Sequence, residues 1–182
     1  MPILNKNVVF SSKIKQKKAI FQKTFISFFF ALISGCNQPW YTQIEIIPGG
    51  INSNSAEEHP AYSSDGRYLA FASDRQGQRD IFLYDLQESR LVSLPNLNRR
   101  NSSQDQPSLS SNGRYIAYVS TERGKTDLLV YDREKQKSEL LSINIQGSIR
   151  HPTINGDGSK VAFQTSELGQ WKIAIVNHQI NE

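Results

Sequence analysis

One block of sequence recurs three times, and no other feature restricts the fold of this chain so strongly. SSDGRYLAFASDRQGQRDIFLYD runs from Ser63 to Asp85, SSNGRYIAYVSTERGKTDLLVYD from Ser110 to Asp132, and a looser copy, INGDGSKVAFQTSELGQWKIAIVN, from Ile154 to Asn177. Gly66, Gly113 and Gly158 are separated by 47 and then 45 residues, and so are Gly77, Gly124 and Gly169, and Asp85, Asp132 and Asn177. Register inside each copy is therefore invariant. The two-residue difference falls in the connection between copies, where the stretch from Asn96 to Gln106 is rich in polar loop residues. A period of about 40 to 50 residues belongs to a solenoid, a propeller or an array.

The local pattern selects β-structure. Each unit opens with a short segment, HPAYS at His59, QPSLS at Gln106 or HPTIN at His151, followed by the turn pairs Asp65-Gly66, Asn112-Gly113 and Asp157-Gly158. Such pairs suit the positive backbone dihedrals of tight turns. In the next segment, Arg67 to Ser73, Leu69 and Phe71 alternate with Tyr68, Ala70 and Ala72, and the second copy sets Ile116 and Tyr118 against Tyr115, Ala117 and Val119. Apolar residues on both faces imply a strand covered on both sides. Ala70, Ala117 and Ala162 hold equivalent positions and suit sheets that crowd near an axis. A second turn at Gly77, Gly124 or Gly169 leads to third strands at Asp80 to Leu86, Asp127 to Asp132 and Lys172 to Asn177, with fourth strands expected at Leu91 to Leu94 and Glu139 to Ile143. Four antiparallel strands per repeat make a propeller blade.

The string HPAYSSDGRYLAFASDRQGQRDIFLYDL resembles the TolB-type, WD40-like propeller repeat called PD40. Pro60, Tyr62, Ser63, Ser64, Asp65 and Gly66 match its opening, Ser73, Asp74 and Arg75 its middle, and Asp80, Ile81, Phe82 and Asp85 its close. The second unit matches through Pro107, Ser110, Asn112, Gly113, Ser120, Asp127 and Asp132, and the third through Pro152, Asp157 and Gly158. The resemblance covers residues 41–182 and implies an all-β fold: three four-stranded blades, half of a six-bladed TolB-type propeller. It also implies a non-catalytic, protein-binding scaffold of the cell envelope, with a Pal-like protein or peptide docked at one mouth. The loops holding Arg75, Arg123 and Trp171 gather at one end and supply candidate anchors for that partner. The alternative reading of these side chains is that they only solubilise their turns.

Ahead of the repeats, Lys6, Lys13, Lys15, Lys17, Lys18 and Lys23 precede the apolar run FISFFFALISG, Phe25 to Gly35. About eleven residues are far short of the ~20 that a membrane-spanning helix needs and fit the apolar region of an export signal. Ile33, Ser34, Gly35 and Cys36 resemble the lipobox of bacterial lipoproteins. That resemblance implies a signal peptide at residues 1–35, a lipidated Cys36 with a tether to residue 40, and a periplasmic, membrane-anchored protein. Cys36 is the sole cysteine, so no intrachain disulfide forms. Of 21 basic residues, six are those leader lysines, which leaves 15 against 17 acids and removes the case for a nucleic-acid-binding face.

No nucleophile elbow, P-loop or cysteine–histidine metal spacing occurs, and the chain reads as a non-enzyme with no cofactor. His59 and His151 start the first strands of their units and Gln106 replaces the middle member. The three read as channel-lining residues, because a metal site needs three or four ligands. His178 reads as a solvated terminal residue, and Asp80 and Asp127 as strand-starting residues that bond neighbouring backbone. The alternatives are a propeller hydrolase or lactonase, and a truncated, non-functional propeller. Propellers close with about four to eight blades, so three are too few. Tyr41 to Ile47 has the place of a further strand, and a homodimer completing a six-bladed ring is expected if each such strand finishes the partner's last blade.

Overall fold

The computed structural model describes residues 50–180; the expected strand at Tyr41 to Ile47 and the leader with Cys36 lie outside them. Blade 1 is the antiparallel sheet β1 (Glu57–Tyr62), β2 (Tyr68–Ser73), β3 (Asp80–Asp85) and β4 (Arg90–Val92), in that order. Blade 2 repeats it with β5 (Gln104–Leu109), β6 (Tyr115–Ser120), β7 (Asp127–Asp132) and β8 (Lys137–Leu140). Blade 3 has three described strands, β9 (Ile149–Ile154), β10 (Lys160–Thr165) and β11 (Lys172–Asn177). Register repeats with the sequence: Ala70 pairs with Leu83, Ala117 with Val130, and Ala162 with Ile175. The outer strands sit earlier than the sequence pattern placed them. Ser89 and Gln136, at φ 51° and 52°, turn the chain sharply enough for pairing to start at the next residue, and Leu94 and Leu141 pack on the cores from loops instead.

The repeated turn is a small hydrogen-bonded unit, and each of its letters has a bond to make. In blade 1, Ser63 Oγ donates to Asp65 Oδ1 (2.5 Å) and accepts from Tyr68 N (2.9 Å), while Asp65 Oδ1 also accepts from Arg67 N (3.0 Å). Ser110, Asn112, Arg114 and Tyr115 repeat the arrangement in blade 2. Such side-chain acceptors are why Ser, Asp and Asn favour turns. The last aspartate of each motif closes a second loop. Arg67 binds Asp85 Oδ2 through Nε and Nη2 (3.0 and 2.7 Å), and Asp85 Oδ1 accepts from the backbone of Gln87 and Glu88. Arg114 forks to Asp132 in the second blade, Nε to Oδ1 (3.3 Å) and Nη2 to Oδ2 (3.0 Å). The Arg67 guanidinium, with those two amides, holds the Asp85 carboxyl below its usual range. Blade 3 lacks both partners at once, with Ser159 and Asn177 at these positions.

Blades pack face on face. The trailing face of blade 1, with Ala70, Ile81 and Leu83, meets the leading face of blade 2, with Leu109, Ile116, Tyr118 and Tyr131, in one buried cluster. The trailing face of blade 2, with Tyr115, Ala117, Val119, Leu128 and Val130, meets Ile149, Ile154, Val161 and Phe163 of blade 3 in another. The inner strand of each following blade makes much of this contact: β5 lies on β1, β2 and β3, and β9 on β5, β6 and β7. At two of these side chains the phenol also binds, Tyr118 to Ser138 Oγ (2.8 Å) and Tyr131 to the Pro95 carbonyl (2.7 Å). Burial pushes the Tyr118 phenol up to about 12 despite that bond, so it stays protonated.

At the rim, a tyrosine of one blade covers the turn glycine of the next. Gly113 lies under Tyr68 and Gly158 under Tyr115, and a Cβ on Gly113 would come within 2.6 Å of the Tyr68 ring. Gly124, at φ 79°, has open space around it. Gly113→Ala is therefore expected to combine the left-handed backbone cost with overpacking and to lose about 3 kcal/mol. Gly124→Ala is expected to lose about 1 to 2 kcal/mol from the backbone alone. Urea unfolding midpoints of the two variants check the difference.

Candidate functional site

Three prolines, Pro60, Pro107 and Pro152, lie inside the inner strands, where their missing N–H interrupts the ladder. Each inner strand accordingly slips register at that point: between Glu58 and Ala61 in β1, between Asp105 and Ser108 in β5, and against Ala162 to Gln164 in β9. The residues before the prolines, His59, Gln106 and His151, adopt φ of 52°, 53° and 49°. A left-handed backbone at a residue with a Cβ costs energy, and here it recurs at three equivalent positions. The bulge re-aims those side chains.

The re-aimed side chains meet across blade boundaries. His59 Nδ1 lies 2.8 Å from Asp105 Oδ1, and Gln106 Oε1 accepts from the His151 backbone N–H at 2.5 Å. Glu58, Asp105 and Arg150 occupy the adjoining equivalent position. Glu58 pairs with Arg79 (2.9 Å), which also reaches Asp74 (3.1 Å). Arg150 donates to Gln164 Oε1 (2.9 Å) and lies 3.7 Å from the centre of the Trp171 ring. The result is a polar row, Glu58, His59, Asp105, Gln106, Arg150 and His151, running across three blades and partly open to water.

The loop residues singled out from sequence have different fates. Arg75 is held within blade 1. Its guanidinium stacks on Phe71 and Phe82, pairs with Glu57 (2.8 Å) and donates to the carbonyls of Gly50 and Ile51. Arg123 is exposed, with a guanidinium nitrogen 3.7 Å from Asp127 Oδ2. Trp171 is 43% exposed and, through Arg150, joins the polar row. Each of the three thus has its own partners, Glu57 with Phe71 and Phe82, Asp127, and Arg150. The turn residues Asp65, Gly66, Asn112, Gly113, Asp157 and Gly158 lie at the opposite ends of their strands from these loops.

Three further positions differ from the sequence reading. His178 is buried: its ring packs edge-on against Tyr115, and Nδ1 lies 2.8 Å from the Gly158 carbonyl. It holds the register of Arg133, whose guanidinium covers Tyr68 and donates to the Gly113 carbonyl, so repeat position foretold its role better than terminal position. Asp80 and Asp127 start strands as expected but bind side chains: Asp80 accepts from Gln78 (2.8 Å), and Asp127 Oδ1 from Ser142 (2.8 Å) with Lys125 at 3.2 Å. Asp127 also lines a cavity of about 420 Å³ with Ser120, Glu122, Arg123, Leu129 and Leu140. The bulge was the feature that sequence reasoning missed. Its signal was a proline at one fixed position in three segments that otherwise read as strands.

Among families, the model described as TolB beta propeller domain, PD40, matches residues 50–182. Among solved structures, the chain is similar to putative TolB from Agrobacterium tumefaciens, with a TM-score of 0.56 at 18% identity over 69% of this chain and 46% of that one. TolB from Acinetobacter baumannii gives 0.53 at 21% over 65% and 29%. A puromycin-hydrolyzing peptidase of Mycobacterium tuberculosis gives 0.51 at 18% over 68% and 19%. At these identities the likeness is one of fold, and the chain spans less than half of each structure. No curated protein matches the chain.

Arg150 shields one side of Trp171. In a Trp40→Phe background, Arg150→Ala is expected to increase acrylamide quenching of Trp171 fluorescence, with far-UV circular dichroism unchanged.

Proposed function

Because the chain belongs to the TolB beta propeller domain family through residues 50–182, we propose that it is a non-catalytic scaffold of the cell envelope that docks a protein or an extended peptide at its propeller mouth. The polar row on the inner strands carries this reading. It offers carboxylates, imidazoles, an amide and a guanidinium at a repeated spacing, on strands rather than mobile loops; His59 bonds Asp105 and Gln106 bonds His151 within the row, while Glu58 and Arg150 are held by Arg79 and Gln164 beside it. A peptide backbone needs donors and acceptors presented in that way, and Trp171 beside Arg150 adds a flat apolar anchor of the kind that dominates interface energies. The partner that the family resemblance favours is a Pal-like envelope lipoprotein.

A second reading follows from the fold likeness to a peptidase: the blades stand beside catalytic machinery and orient its substrate. The two are separable. Calorimetric titration of the full chain with the soluble domain of a Pal-like lipoprotein is expected to give saturable binding, weakened roughly tenfold by Arg150→Ala combined with Trp171→Ala, about 1.4 kcal/mol. Absence of saturable binding removes that partner. Hydrolysis of ester or peptide substrates that depends on added calcium or zinc overturns the non-catalytic reading.

Export and anchoring complete the proposal, with Cys36 as the lipidated residue and the apolar run before it as the export signal. Expressed in a bacterium fed labelled palmitate, the chain is expected to take up label and Cys36→Ala to lose it. Equal labelling of both sinks the anchor.

A further inference from the structure

Blade 3 presents a face that the other two blades keep covered. Ile173 and Ile175 are each 69% exposed, yet they stand in register with Ile81 and Leu83 and with Leu128 and Val130, none more than 1% exposed. The inner strand of blade 1 is open in the complementary way. Tyr62 is 61% exposed where Leu109 is 6% and Ile154 8%. Pro60 and Gly66 are exposed where Pro107, Pro152, Gly113 and Gly158 are buried. The covered positions show what fits: Leu109 packs in one cluster with Ile81 and Leu83, and Ile154 in another with Leu128 and Val130. Tyr62, by register, is the residue that seats on Ile173 and Ile175.

From this continuity with the blade-on-blade interface we propose that a second copy of the chain covers these two exposed surfaces. The trailing face of β9, β10 and β11 in each copy receives β1 of the other, closing a two-fold ring of six blades. A complementary pair of surfaces on one chain builds a ring or an open filament, according to the rotation between subunits. Leu69, Phe71 and Tyr84, on the leading face of blade 1, are already buried. The seam therefore runs along the inner strand, whose Glu58, His59, Pro60 and Tyr62 are open and whose counterparts β5 and β9 each lie on all of the first three strands of the preceding blade.

Charge agrees with the apolar match. Lys160 stands where Tyr68 and Tyr115 reach over the next blade's turn glycine, and in the ring it faces the Asp65-Gly66 turn of the second copy. His151 stands where His59 reaches Asp105, and the second copy's residue in the register of Asp105 is Glu58. This assembly goes beyond the binding function proposed above and does not depend on it.

The test uses the full chain with Cys36→Ser, so that introduced cysteines are the only thiols. Tyr62→Cys and Ile173→Cys variants carrying different tags are mixed and treated with a short bismaleimide. The expected product is a covalent pair bearing both tags, formed roughly tenfold more efficiently than either variant with itself, since the cross-seam pair alone is in reach. A predominant Ile173-to-Ile173 product, or no product, overturns the ring. By light scattering the cysteine-free chain is expected at twice its own mass, and Ile175→Glu, a change at an exposed position, is expected to raise the dissociation concentration roughly tenfold or more. A single chain at every concentration, or assemblies that grow beyond two, overturn it as well.

Discussion

Burial between neighbouring blades is the constraint on which the rest of residues 50–180 depends. A sheet of three or four short strands with apolar side chains on both faces cannot shield them alone, so each blade is stable only as far as another covers it. Ile81 and Leu83, or Leu128 and Val130, become core residues through the blade that follows them in the chain. Conformity to the repeat follows the same logic. Wherever two blades meet, the tyrosine, the turn glycine and the inner-strand proline keep their places.

Much of this was legible because it is periodic. The eleven strands of the described residues, their grouping into blades and the turn chemistry at Asp65, Asn112 and Asp157 follow from alternation and Asx–Gly pairs whose bonds are local. What local reasoning missed was settled by contacts distant in sequence. Arg75 looks in sequence like any loop cation, and only the pairing of β2 with β3 brings Phe71 and Phe82 together beneath its guanidinium. His178 looks terminal, and only the stacking of blade 3 on blade 2 places it against Tyr115. The bulges at His59, Gln106 and His151 belong to an intermediate class, local in cause and visible in the prolines, yet expressed as side-chain directions that no alternation pattern encodes.

Blade 3 illustrates how a repeat loses its features. Its turn keeps Asp157 and Gly158, which are needed for the β9–β10 connection whatever surrounds it, and Gly158 is needed also because Tyr115 lies on it. The Arg–Asp fork, which links β3 to the first turn in blade 1 and β7 to that turn in blade 2, is absent at both ends together. Losing one member alone would strand a charge at a shielded site, since Asp85 and Asp132 are both buried. Paired loss leaves Ser159 and Asn177, two neutral residues, with no such penalty.

The tyrosine that covers the next blade's glycine sets the grain at which this architecture can be edited. Because Tyr68 reaches Gly113 and Tyr115 reaches Gly158, the smallest self-contained part is neither a blade nor a sequence repeat but a junction straddling two of them. A duplication of one whole period copies the outgoing half of one junction and the incoming half of another, and every junction in the longer chain remains complete. An insertion or deletion of another length inside a core leaves a ring without a seat and a seat without a ring, whereas the connection between copies absorbs the two-residue difference between the periods of 47 and 45. Gene-level changes in length are thereby confined to whole periods and to the connections between copies, which accounts for why copies that differ at so many side chains keep identical spacing inside their cores.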